Sequence, residues 1–88
     1  MTQTQIKPRD KLRRWASRND LSVMPLCQIL SNIERIGIDV TLGLGLEKKW
    51  SCDLSEQYYD VWNVEAEAQT PGAAVRQAIR EAVKGTPA

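Results

Sequence analysis

The sequence predicts a two-layer α+β domain in which amphipathic helices cover one face of a three-stranded antiparallel meander. Three observations predict it. Apolar residues recur at helical spacing over 23–36 and again over 74–83. Between those stretches, apolar and polar residues alternate from Ile38 to Ala68. Turn-forming residues interrupt the alternation at short intervals, as hairpin connections require.

The chain's 88 residues suit one domain and one core. Residues 1–8 are polar and end in Pro8, so they read as a loose lead-in to a single domain over 9–85, with 86–88 as a frayed tail. Arg9 to Arg18 reads as a short helix with Leu12, Trp15 and Ala16 on one side, and Asn19-Asp20 breaks it. Ser22 is the expected N-cap of the next helix, with Pro25 in its first turn. Val23, Leu26, Ile29, Leu30, Ile33 and Ile36 then form its apolar stripe, and Gly37 stops it.

Ile38, Val40, Leu42, Leu44 and Leu46 alternate with Asp39, Thr41, Gly43, Gly45 and Glu47, which predicts a half-buried strand. Its two glycines suggest a bulge, a bend or a close backbone approach. A turn at Glu47-Lys48-Lys49 leads to a second strand carrying Trp50, Cys52 and Leu54 inward. Ser55-Glu56-Gln57 is the expected next turn. The third strand, 58–68, then has Trp62, Val64, Ala66 and Ala68 inward and Tyr59, Val61, Asn63, Glu65 and Glu67 outward. Thr70-Pro71 opens the last helix as N-cap and first helical residue, with Ala74, Val75, Ala78, Ile79, Ala82 and Val83 as its stripe and Gly85 at its end.

Composition narrows function by exclusion. Histidine is absent, and the serines sit where caps and turns account for them, so no nucleophile–base pair can be assembled. Two cysteines, Cys27 and Cys52, are too few for a disulfide framework or a zinc site and read as reduced, packed thiols of a cytoplasmic protein. Gly43-Leu44-Gly45 lacks the following helix of a phosphate loop. No cofactor or metal is expected. No apolar run approaches the roughly 20 residues of a membrane span, and the first residues lack an apolar signal core.

Overall net charge is +1, but it is unevenly distributed. Residues 1–20 carry Lys7, Arg9, Lys11, Arg13, Arg14 and Arg18 against Asp10 and Asp20. Residues 39–67 carry seven acids against Lys48 and Lys49. Two candidate surfaces follow. An acidic sheet face of Asp39, Glu47, Asp53, Glu65 and Glu67, with Tyr59 and Val61 among them, suits a basic partner surface. The basic segment 7–18, with Trp15, suits phosphates. An exposed strand edge offers a third possibility, a homodimer.

The last forty residues, with Val64-Glu65-Ala66-Glu67-Ala68 leading into Thr70-Pro71 and the helix AAVRQAIREAV, resemble the ends of phage ABA-sandwich proteins and of HicB-type antitoxins. The helix–three strands–helix order from Ser22 to Lys84 is also similar to that of double-stranded-RNA-binding domains. The final helix departs from the latter, opening on Pro71-Gly72-Ala73-Ala74 where that family clusters lysines. The resemblance implies a small phage or prophage accessory protein. By analogy with anti-CRISPR proteins, it implies inhibition of a host protein machine through an acidic surface. The expectation is a non-enzymatic binding protein, with nucleic-acid binding through the basic helix and self-assembly as alternatives.

Overall fold

The computed structural model describes residues 7–57 and 59–84, with the backbone alone described at 59–62. Helices α1 (Pro8–Arg18) and α2 (Leu26–Ile36) precede strands β1 (Ile38–Leu44), β2 (Trp50–Glu56) and β3 (Tyr59–Ala68), and helix α3 (Pro71–Lys84) follows. The strands form one antiparallel sheet in the order β1-β2-β3. This is the two-layer α+β arrangement the alternating periods predict. The expected lead-in, the Gly85 stop and the tail fall largely or wholly outside the described residues.

All three helices lie on one side of the sheet. Ile38 of β1, Cys52 and Leu54 of β2, and Ala66 of β3 meet Leu12 of α1, Ile29 and Ile33 of α2, and Ala74, Val75, Ala78 and Ile79 of α3 in one core. The short α3 side chains let that helix approach β2 and β3 closely, while α2 lies along β1. Thr70 caps α3, its hydroxyl accepting from Ala73 N–H at 3.1 Å, and Pro71 takes the first helical position.

Gly37 ends α2 in the left-handed conformation, φ 106°, with its N–H donating to Ile33 and Glu34 carbonyls. A side chain there would be strained, and its Cβ would stand 3.3 Å from the Pro8 ring. The Gly37 carbonyl in turn accepts from Gln57 N–H at 3.0 Å, so the helix stop doubles as the first rung of the sheet.

Several local expectations need correction. Helix α2 begins at Leu26, not near Val23, and Ser22 does not cap it. Ser22 instead donates its N–H and its hydroxyl to Asp20 Oδ1, closing a turn that leaves Val23 78% exposed. Those two bonds hold the Asp20 carboxyl below its ordinary pKa. Cys27 lies on the outer side of α2 and is exposed, whereas Cys52 is fully buried. Strand β1 stops at Leu44, and cover declines along it from Ile38, 1% exposed, to Leu44, 58% exposed.

Leu46 therefore projects from the hairpin loop into solvent instead of facing the core. Gly45 and Lys49 close that loop through Gly45 N–H to the Lys49 carbonyl, 2.8 Å. Within it, Lys48 N–H bonds Gly45 O and Lys48 itself has φ 61°. This is the tight turn plus left-handed residue of a three-residue hairpin loop. Gly43 keeps regular pairing with Ser51, so β1 has no bulge there. The irregularity lies instead between Ser55 and Glu56, where Ser55 pairs with Asn63 but Glu56 with Tyr59. Strand β2 thus continues through Glu56, which had read as a turn residue.

Candidate functional site: the open sheet face

Strand register fixes what the uncovered face presents. Residues opposite one another share a face, so Asp39, Ser55 and Asn63 form one row, Thr41, Asp53 and Glu65 the next, and Gly43, Ser51 and Glu67 the third. Their neighbours along the strands include the core residues Ile38, Cys52, Leu54 and Ala66. These nine positions hold four carboxylates and no lysine or arginine.

The remaining five side chains are small or amide, so the acids stand on a low platform. Asp39, Glu65 and Glu67 are exposed, and half-buried Asp53 accepts a hydrogen bond from Asn63 Nδ2 at 3.2 Å. Asp53 lies directly opposite Glu65. Like charges so placed destabilise a sheet, and no ion pair among the described residues offsets them here. Among the described residues, the ion pairs are Arg13 with Asp10 and Lys49 with Glu47, both away from this face.

The structure thus brings together four of the sequence-derived site residues, Asp39, Asp53, Glu65 and Glu67. Glu47 does not join them, because β1 ends first and its carboxylate sits in the hairpin loop, 3.8 Å from Lys49 Nζ. Tyr59 and Val61 belong to β3, but their side chains lie outside the described residues.

The basic segment lies in the helical layer, on the other side of the molecule. Lys11, Arg14 and Arg18 are exposed and recur at i, i+3 and i+7 along one stripe of α1. Lys7 is exposed beside the helix start, and Arg9 and Arg13 are half-buried, Arg13 being paired with Asp10 at 3.4 Å. Trp15 packs against the core and so does not stand free for base stacking. A groove of about 610 Å³ runs between α1, the linker and α3, lined by Ala16, Leu21, Gln77 and Val83 among others. Its Gln77 is already bonded to Glu81 at 3.0 Å.

Two polar side chains that sequence reasoning missed tie distant parts of the chain together. Glu56, 3% exposed, accepts from Arg9 N–H at 3.1 Å through its carboxylate. Arg76 of α3 donates to Leu21 O at 2.7 Å and Met24 O at 2.8 Å, fastening the α1–α2 linker. The only sequence signal for either is a charged residue at an inward-facing or stripe-flanking position.

Among the described residues, no group of three or more cysteines and acids is placed to hold a metal ion, and no helix is long and apolar enough to cross a membrane. No family model, curated protein or solved structure matches the chain.

Proposed function

We propose that the protein is a non-enzymatic binding module whose open sheet face docks on a basic surface of another protein. The observation that carries this reading is the set of Asp39, Asp53, Glu65 and Glu67 on a low platform, with no ion pair to them among the described residues. Neighbouring strands are about 4.8 Å apart and alternate residues along a strand about 6.7 Å apart. Carboxylates at such spacing present a dense field that speeds encounter with a positive cleft and disfavours nucleic acid. The partner class this charge fits best is the nucleic-acid-binding cleft of a protein machine. Inhibition of such a machine on behalf of a phage or prophage is the finer form of the proposal, and it is supported by the sequence resemblance alone.

Charge reversal tests it. Glu65→Lys with Glu67→Lys is expected to abolish capture of the partner from bacterial lysate while leaving the thermal unfolding midpoint at or above its starting value. Undiminished capture by that variant would count decisively against the face.

A second reading is favoured by one observation, the stripe of Lys11, Arg14 and Arg18, which no ion pair holds among the described residues. If nucleic acid is the ligand, Arg14→Ala with Arg18→Ala lowers affinity and flattens its dependence on salt. If the protein's bound material survives nuclease and ignores these substitutions, this second reading falls.

A further inference from the structure

We propose that the outer edge of β1 is a self-association surface, on which two copies pair antiparallel about a twofold axis through Thr41. The sheet order leaves β1 at an edge, and no described strand covers its outer side. Hydrogen-bond parity then determines what that edge offers. Gly45 N–H bonds Lys49 and the Gly37 carbonyl bonds Gln57, so the odd-numbered residues of the run turn their backbone groups towards β2. Ile38, Val40, Leu42 and Leu44 consequently turn theirs outwards. Strand edges are ordinarily guarded by lysine, proline, a bulge or shortness. This one has seven residues, no lysine or proline, and regular pairing throughout.

The same edge is bordered by a groove of about 350 Å³ between α2 and β1, lined by Leu30, Ile38, Val40 and Leu42, with Glu34 and Asp39 at its margin. One register uses all seven residues and satisfies the outward groups of both copies. It sets Ile38 against Leu44, Val40 against Leu42, Asp39 against Gly43 and Thr41 against itself.

That register is self-complementary in each row. The apolar pairs fall on the core side, where Leu44 of the second copy, 58% exposed in the single chain, enters the groove beside Ile38. On the open face Asp39 meets a glycine and not another carboxylate, and threonine opposite threonine is a favourable cross-strand pair. The result is a six-stranded sheet with a doubled acidic face and a second acidic copy of every docking group. A second copy supplies Leu44 opposite Ile38 and Gly43 opposite Asp39 in one register, so it is the occupant the residues specify.

Cross-linking and hydrodynamics test the pairing independently of any partner for the acidic face. In a Cys27→Ser background, Thr41→Cys places two thiols at a non-hydrogen-bonded pair, where Cα atoms lie about 4.5 Å apart and a disulfide closes. Mild oxidation is expected to give a covalent dimer. Asp39→Cys, offset from its own copy by four residues or roughly 13 Å, is expected to give none. Leu44→Glu, an exposed change that brings a carboxylate into the groove lined by Leu30, Ile38 and Glu34, is expected to weaken the dimer roughly tenfold or more by sedimentation equilibrium, with the circular dichroism spectrum unchanged.

A chain that stays monomeric up to its solubility limit overturns the proposal, whether or not a foreign strand then adds to the edge. A dimer that cross-links equally at 39 and 41, or ignores Leu44→Glu, overturns it as well.

Discussion

At the scale of single residues, the least comfortable backbone belongs to Lys48, held at φ 61° in the hairpin loop. A side chain there meets the following carbonyl at a cost of about 1–2 kcal/mol, which glycine avoids while losing more chain entropy on folding. Lys48→Gly is therefore expected to raise stability by roughly 0.5–1 kcal/mol in urea titration, despite removing a surface charge. The sequence marks a turn at 47–49 but does not separate Lys48 from Lys49, because only closure of Gly45 on Lys49 decides which lysine goes left-handed. The two cysteines illustrate the same boundary. Cys27 flanks the α2 stripe and comes out exposed, whereas Cys52 is buried, its thiol pushed up to about 11 by burial and then by Asp53 beside it. A raised thiol pKa means the native state favours the protonated form. Its contribution is whole below the ordinary value of 9.0 and is lost as pH climbs from there towards 11. Stability should accordingly fall over that window, and Cys52→Ala should flatten the fall. A neutral-pH thiol titration should count one reactive cysteine in the native protein and two in denaturant.

At the scale of elements, α1 is anchored by a residue remote in sequence. Lys7 provides no side-chain cap, Pro8 has no N–H to satisfy, and Arg9 N–H is met by Glu56 from the end of β2. The carboxylate is buried on the inner side of the sheet and faces the positive end of the helix dipole. Glu56→Gln keeps an acceptor and should cost only about 0.3–1 kcal/mol. Glu56→Leu leaves the Arg9 N–H without its partner and should cost about 1–3 kcal/mol, read as a lower urea midpoint with fraying of α1 by hydrogen exchange. Nothing local announces this contact, since a glutamate between Ser55 and Gln57 carries every sign of a turn. Periodicity does reveal that α1, α2, the three strands and α3 exist, because each buries one face and patterns its own sequence accordingly. It leaves unresolved the places where partners come from far along the chain. The start of α2 is one such place: Arg76 holds Leu21 and Met24 from fifty-odd residues away and lets the chain wait until Leu26 to become helical.

At the scale of the whole molecule, the acidic face is legible from the strand period of two, since Asp39, Asp53, Glu65 and Glu67 all alternate with core residues. What the period cannot supply is where β1 stops, and so Glu47 is lost from the face to the loop. The cross-strand register supplies a distinction between two acids that look equivalent in sequence. Glu65 faces Asp53, but Glu67 faces Ser51. The first pair is a repulsion within the native sheet, and the second is not. Glu65→Thr removes that repulsion and introduces a β-branched residue, so it should raise stability by roughly 0.5–1 kcal/mol in low salt, with the gain shrinking as salt screens the pair. Glu67→Thr should gain less and show the weaker salt dependence. If the face docks on a basic surface, both substitutions should slow association, because encounter responds to the field of the whole face and not to its internal pairs. Equal effects on association with unequal effects on stability would show Glu65 to be retained at a cost in folding. A face built only to keep the sheet wet gives the same stability difference with no change in association.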